Sequence, residues 1–132
     1  MESDNLIRRT LKVGTLRNSF KYASQGVVYL FLYHRNMRII FVMGAAAIIS
    51  ALILDLTGPE MVVLLLTISL VFTAEMFNTG IEVAMDIISS QYHSRAKVIK
   101  DIAAAAVLVA SVNAAMIGYF LFAKRLYLLW FK

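Results

Sequence analysis

A run of acidic residues inside an apolar stretch is the part of this sequence best suited to chemistry. The run, Glu75-Met-Phe-Asn78-Thr-Gly-Ile-Glu82-Val-Ala-Met-Asp86, contains three carboxylates and one amide. At about 100° per residue on a helix, the three acids point within roughly 40° of one another, and Asn78 lies beside them. Ionisable side chains at membrane depth are costly and usually serve catalysis or transport. Glu75, Asn78, Glu82 and Asp86, here called the carboxylate stripe, are therefore the candidate functional site.

The composition places this stripe in a membrane protein. Hydrophobic residues make up 61% of the 132 residues and charged residues only 16%, which is not typical of a soluble domain. The length allows one domain, residues 1–132. The absence of cysteine excludes disulfide and thiolate chemistry. Seven of the thirteen basic residues precede residue 39, where they suit anionic lipid head groups or a phosphate ligand and not nucleic acid.

The pattern of apolar residues predicts an all-α membrane protein with three transmembrane helices and an N-terminal amphipathic helix. The amphipathic helix carries aromatic residues and flanking Lys and Arg, as is typical of helices that lie in the membrane surface. The surface helix is predicted at 15–33 and the membrane helices at 37–55, 61–89 and 99–123. Gly58 and Pro59 predict a turn over residues 55–60, and residues 89–100 read as a polar loop.

The distribution of basic residues predicts the orientation of the three spans. Basic residues number seven in the first 38 positions and three in residues 89–100, whereas the turn at 55–60 has none. The positive-inside rule then places the amino terminus and the 89–100 loop in the cytoplasm. The carboxylate stripe consequently lies in the cytoplasmic half of its helix, where soluble nucleotides can reach it.

The side chains gathered at this end suit phosphoryl transfer from a nucleotide. Carboxylates hold Mg²⁺, a cation binds the phosphates, and a base accepts the proton of the acceptor hydroxyl. No phosphate-binding loop of the GxxxxGK[ST] kind occurs, so a nucleotide site must be built in another way. The nearby residues that could complete such a site are Tyr92, His93, Arg95, Lys97, Lys100 and Asp101.

Three classes of function remain open from composition and spacing. They are a phosphotransferase acting on a lipid alcohol, a small proton- or cation-coupled carrier, and an accessory subunit of a larger membrane complex. A carrier that relays protons predicts acids spread through the membrane depth. The acids here cluster at one end beside basic residues, which favours the phosphotransferase.

An ordered set of motifs resembles the bacterial diacylglycerol kinase/undecaprenol kinase family. The set comprises Glu75-x-x-Asn78-Thr79-Gly80-x-Glu82-x-x-x-Asp86, Tyr92-His93, Lys100-Asp101 and Ala104-Ala105-Ala106-Val107-Leu108, within a similarity that runs from about Phe20 to Phe122. The segments Phe20-Lys21-Tyr22-Ala23 and Arg35-Asn36-Met37-Arg38 look more like the undecaprenol kinase branch.

This resemblance implies an enzyme of the bacterial cytoplasmic membrane. It implies a homotrimer with active sites shared between subunits, and MgATP-dependent phosphorylation of a lipid alcohol. Undecaprenol is the expected acceptor and diacylglycerol the alternative. A weakly active family member, or an ion-coupled carrier, is the further alternative.

The resemblance also implies roles for individual residues. Glu75 is the expected general base at the lipid hydroxyl, Asn78 orients the site, and Glu82 holds Mg²⁺. Arg38 is expected near the lipid entry. His34 stands where the family usually has a second metal-binding glutamate, and a neutral imidazole is a poorer Mg²⁺ ligand than a carboxylate. The residues expected to bind the nucleotide are Tyr22, Asp86, Tyr92, His93, Lys100 and Asp101.

Overall fold

Four helices make up the part of the chain that the structure describes. A computed structural model describes residues 16–88 and 94–130. The helices are α1 (Leu16–Tyr33), α2 (Arg35–Ile53), α3 (Gly58–Ile88) and α4 (Ser94–Trp130), and these described residues contain no strand. Helices α2, α3 and α4 are each long and apolar enough to cross a membrane. The predicted all-α membrane fold is therefore confirmed.

The chain divides into two units, Met1–His34 and Arg35–Lys132. The first contains α1, in which the ring of Tyr29 lies 4.9 Å from that of Tyr33 and 5.8 Å from that of His34, measured between centroids. The backbone N–H of His34 donates to the carbonyl of Leu30 at 2.9 Å, so the helical hydrogen bonding reaches the end of this unit. The location of α1 at the membrane surface stays a prediction.

The second unit begins with α2, which ends in a tight C-terminal cap. The N–H of Leu56 donates to the carbonyl of Ala51 at 3.0 Å, and the N–H of Asp55 donates to that of Leu52 at 3.4 Å. Asp55 has a positive φ of 49°. This is the Schellman arrangement, with an aspartate in the left-handed position that glycine usually takes.

Helix α3 begins earlier than the sequence pattern predicted. Thr57 precedes it, and the backbone N–H and the hydroxyl of Thr57 both donate to Glu60 Oε2 at 2.7 Å. This capping box starts the helix at Gly58 instead of residue 61. Gly58 and Pro59, predicted to break the chain, lie within the first turn of α3. Proline is tolerated there because its missing N–H would have no helical partner.

Buried residues recur every seven positions along the three membrane helices. In α3, Leu64, Val71 and Asn78 are buried. The corresponding residues are Met37, Gly44 and Ala51 in α2, and Ala103 and Ala110 in α4. A spacing of seven is typical of helices packed with a left-handed crossing, as in coiled coils. We call these positions the packing seam of the second unit.

Two glycines in the second unit should respond oppositely to substitution. A Cβ added at Gly44 would lie 3.1 Å from Ile68 Cγ2, whereas one added at Gly80 would meet nothing within 4 Å. Gly44→Leu is therefore expected to destabilise α2–α3 packing by roughly 1–3 kcal/mol, and Gly80→Ala to stabilise α3 by about 0.5–1 kcal/mol. Unfolding in detergent micelles measures both. Equal responses would contradict this packing.

An ion pair joins the start of α3 to the end of α4. Arg125 Nη1 donates to Glu60 Oε1 at 3.0 Å and Nη2 donates to Oε2 at 2.8 Å, and both side chains are half-buried. Two parallel bonds of this kind fix the orientation of both groups. Glu60 also caps α3. Its one carboxylate therefore accepts hydrogen bonds from Thr57, which precedes α3, and from Arg125 of α4.

We expect Glu60→Gln and Arg125→Gln each to lower the thermal unfolding midpoint in detergent. The double variant should lose less than the sum of the single losses, because both single changes remove the same interaction. Asp55→Asn is the matched control: it removes a carboxylate that takes part in neither ion pair of the described residues. Strictly additive losses would show that the pair does not couple the helices.

Helices α3 and α4 are longer than a membrane requires. Their 31 and 37 residues correspond to about 46 Å and 55 Å, compared with a hydrocarbon core of about 30 Å. Helix α4 begins at Ser94, not at 99, so residues 94–98, predicted as loop, are helical. It also continues past 123 to Trp130. The sequence prediction ended this span where polar residues begin on either side, but a helix need not end where it leaves the membrane.

Candidate functional site

The carboxylate stripe begins on the packed face of α3. Glu75 is only 3% exposed and Asn78 only 7%, and the neighbouring Thr79 is also buried. Residues three and four apart on a helix are neighbours, so these side chains share one region of the α3 surface. The structure thus buries an acid and an amide side by side on a largely apolar helix.

Asn78 orients one carboxylate and keeps a free acceptor. Its Nδ2 donates to Glu82 Oε1 at 3.3 Å, one turn further along α3. Its Oδ1 is buried and has no hydrogen-bond partner among the described residues. Buried polar atoms without a partner are rare in native proteins and call for an explanation. A ligand that offers a cation or a donor beside Glu82 would satisfy this oxygen.

The outer end of the stripe is linked to α4. Lys100 Nζ donates to Asp86 Oδ1 at 2.5 Å, in an ion pair whose side chains are 37% and 69% exposed. An ammonium group is thereby held at the end of α3 that also carries Glu82. Because the pair is exposed, its contribution to stability is small. Its more important effect is to fix the position of the Lys100 ammonium group.

Small residues of α4 lie beside the stripe. The two ion pairs between α3 and α4 define an antiparallel register, which places Ala103 near the level of Glu82 and Ala110 near that of Glu75. Both alanines are buried. A methyl side chain lets the helix backbones approach closely, so α4 can pack against α3 without displacing the acid and amide.

Other residues predicted for the site lie on different elements. Arg38 is exposed on α2, and Asp101 is exposed on α4 next to Lys100. The ring centroids of Phe41 in α2 and Phe72 in α3 are 6.5 Å apart. Because the two helices run antiparallel, this contact places Arg38 near the level of Glu75. Tyr22 and His34 belong to the N-terminal unit. Tyr92 and His93 lie outside the described residues.

The donor atoms of the stripe suit a hard divalent cation. Carboxylate and amide oxygens are the ligands that Mg²⁺ prefers. The carboxylate of Glu82 lies beside the free amide oxygen Oδ1 of Asn78. Within residues 16–88 and 94–130, no cluster of three or more His, Asp or Glu side chains is placed to hold a metal. A cation here would need phosphate oxygens as further ligands, as is usual for Mg²⁺ at nucleotide sites.

Some structurally important residues were not singled out from the sequence. Thr57 and Glu60 match the Thr-x-x-Glu capping box, a local signal that could have located the start of α3. The pairing of Glu60 with Arg125 has no such signal, because it joins residues 65 positions apart. Thr79 could have been recognised as buried, because it lies four residues after Glu75 on the same helix face.

Taken together, the fold and the stripe define a helical membrane protein with an acid-and-amide site at one end of its helix bundle. Residues 21–122 match the family described as prokaryotic diacylglycerol kinase. This chain belongs to that family, and the resemblance predicted from the sequence motifs is confirmed.

Two relatives illustrate the range of the family. A diacylglycerol kinase from Synechocystis sp. is 43% identical over 101 residues, which cover 76% of this chain and 58% of that protein. An undecaprenol kinase from Bacillus subtilis is 32% identical over 108 residues, which cover 82% of this chain and 88% of that protein. The chain thus spans less than two thirds of the Synechocystis relative. Both relatives are named as kinases, the class that the sequence predicted for this chain.

Proposed function

We propose that this protein is an ATP-dependent lipid-alcohol kinase and that undecaprenol is its acceptor. The observation that carries the proposal is the buried Glu75, one helical turn from the bonded pair Asn78–Glu82. A carboxylate at the edge of the hydrocarbon region can meet a lipid hydroxyl there. Membership of a family with kinases among its members supports the reaction class.

In the proposed reaction, Glu75 acts as general base. Its carboxylate accepts the hydroxyl proton of the acceptor as the hydroxyl oxygen forms a bond to the γ-phosphorus of ATP. The bond from that phosphorus to the bridging oxygen breaks, and ADP leaves with the electron pair. The products are a lipid phosphate and ADP. Positioning and charge stabilisation, more than covalent chemistry, carry catalysis of this kind.

The neighbouring residues position the phosphates. Glu82 and Asn78 Oδ1 would hold Mg²⁺, which when bound neutralises charge on the phosphate oxygens. Asn78 Nδ2 keeps the Glu82 carboxylate in place. Lys100, held by Asp86, supplies a positive charge for the phosphates, and Asp101, Tyr22, Tyr92 and His93 are proposed to complete the nucleotide site.

The proposal includes the setting of the enzyme. We place the amino terminus in the cytoplasm of a bacterial cell, on the basis of the charge distribution. A homotrimer with shared active sites is the proposed assembly. It is supported by the family membership, since the resemblance implies active sites shared between subunits.

The acceptor is tested directly by comparing two lipids. The purified protein is supplied with radiolabelled ATP, Mg²⁺ and either undecaprenol or diacylglycerol in mixed micelles. We expect label in undecaprenyl phosphate. Diacylglycerol is the second candidate, because the Synechocystis relative bears that name and has the higher identity of the two. Label in neither lipid would contradict the kinase proposal.

His34 offers a test of metal binding in the N-terminal unit. We expect His34→Glu to lower the Mg²⁺ concentration needed for half-maximal turnover, because a carboxylate binds Mg²⁺ more strongly than a neutral imidazole. A Mg²⁺ titration of the initial rate measures the change. His34→Gln is the control, since it introduces no charge. An unchanged midpoint in His34→Glu would remove His34 from the metal site.

A further inference from the structure

An apolar cavity of about 300 Å³ lies between α2, α3 and α4 at membrane depth. None of the described residues that line it is charged. Much of its wall comes from small residues, which leave the space that larger side chains would fill. These include Ala47 of α2, and Ala114, Ala115 and Gly118 of α4. A Cβ added at Gly118 would meet nothing within 4 Å, so the space beside this glycine is open.

The cavity begins next to the proposed base. Its α3 wall runs from Leu64 to Val71, and Val71 is four residues from Glu75, which is about 6 Å along the helix axis. On α4 the wall runs from Ser111 to Phe122. These stretches make the cavity roughly 10–16 Å long, parallel to the helices. Its shape is that of a slot for an extended chain.

The lining is unsuited to water. Interiors of proteins are closely packed, and buried water needs two or more polar partners. Thr67 is one of the few polar residues in the wall, and its hydroxyl already donates to the carbonyl of Val63 at 2.7 Å. An occupant that makes no hydrogen bonds is therefore the better match.

We propose that this cavity holds the apolar chain of the acceptor next to its hydroxyl, and that it takes one chain and not two. Its volume equals about ten water-sized groups, at the lower end of ligand pockets. Only the part of one prenyl chain nearest the hydroxyl fits this space, whereas the two chains of diacylglycerol would not fit in it side by side. The inference rests on the proposed function, because it places the hydroxyl at Glu75.

A matched pair of substitutions tests the cavity. Ala114→Leu adds bulk to its wall, and Ala46→Leu adds the same bulk at an exposed position of α2 that does not line it. Acceptors with one and with four isoprene units are compared. We expect Ala114→Leu to lower kcat/KM at least about tenfold for the longer alcohol, as two lost methylene contacts would, and to lower it less for the shorter alcohol, which fills less of the cavity.

Equal losses for both alcohols, or equal effects of both substitutions, would overturn the assignment. If a second copy of the chain fills the cavity instead, both alcohols should show equal losses, because a disturbed assembly affects every acceptor alike. Gly118→Leu provides a second variant if Ala114→Leu fails to fold, since its added side chain enters open space.

A binding measurement separates this inference from the kinase proposal. A prenyl alcohol that carries a photoreactive diazirine is irradiated with the protein without ATP, and the labelled peptides are mapped by mass spectrometry. Label at Ala114–Gly118, reduced by Ala114→Leu and not by Ala46→Leu, supports the cavity even if no alcohol is phosphorylated. Label confined to other segments overturns it even if the wild type is an active kinase.

Discussion

Replacing Glu75 by Gln is expected to abolish phosphorylation of the lipid acceptor. The amide of glutamine keeps the size of the side chain but cannot accept the hydroxyl proton as a carboxylate does. Loss of a general base lowers the rate by roughly 10²–10⁴-fold. Because Glu75 is buried in α3, an uncharged replacement of the same size should leave the fold intact. Initial rates with labelled ATP, together with size-exclusion chromatography, measure both effects.

Glu60→Gln is the matched control for this experiment. It makes the same chemical change in the same helix, but at the end where Glu60 pairs with Arg125. We expect lower stability with turnover retained. If Glu75→Gln keeps wild-type turnover, Glu75 is not the base. If both variants lose turnover equally, the loss reflects the fold and not the chemistry.

Glu82→Gln should raise the Mg²⁺ concentration needed for activity. The substitution removes the charged oxygen that is proposed to bind Mg²⁺ while keeping a partner for Asn78 Nδ2. Changing even an outer partner of a metal ligand typically weakens metal affinity 10–100-fold, so we expect a shift of the Mg²⁺ midpoint of at least about tenfold. High Mg²⁺ should then restore much of the rate.

The comparison variant for Glu82 is Asp86→Asn, one turn further along α3. Asp86 is bonded to Lys100, so its loss should raise the KM for ATP with a smaller effect on the Mg²⁺ midpoint. The two midpoints are read from Mg²⁺ titrations at saturating ATP. An unaltered titration in Glu82→Gln would refute its role as a metal ligand.

The carboxylate stripe could be predicted from the sequence because it depends on a local regularity. Helical periodicity alone brings Glu75, Glu82 and Asp86 to one side of α3. The same periodicity cannot show how deeply each side chain is buried. Glu75 lies within the packed bundle while Asp86 is largely exposed, and that difference arises from where α3 meets its neighbours.

Contacts between distant segments could not be predicted in the same way. The pairing of Glu60 with Arg125, and of Asp86 with Lys100, depends on the register of two antiparallel helices. That register is set by side-chain packing along the seam and has no short sequence signal. The cavity between α2, α3 and α4 was missed for the same reason, since a small residue can line either a close contact or a space.

Helix ends were predicted less well than helix positions. Residues 94–98 were assigned to a loop because they are polar, yet they form the first turns of α4. Polarity marks departure from the hydrocarbon region, not the end of hydrogen bonding along a helix. At the other junction, Gly58 and Pro59 suggested a break, but the capping box of Thr57 and Glu60 determines the helix start.

The packing seam has a consequence for motion. Asn78 belongs to the same seven-residue series of α3 as Leu64 and Val71, so it cannot shift without disturbing core packing. Packed cores resist small continuous deformation and change only between discrete arrangements. We therefore expect the buried part of the site on α3 to keep its position when substrates bind and leave. Any opening that admits or releases a substrate must come from elements outside this packed face.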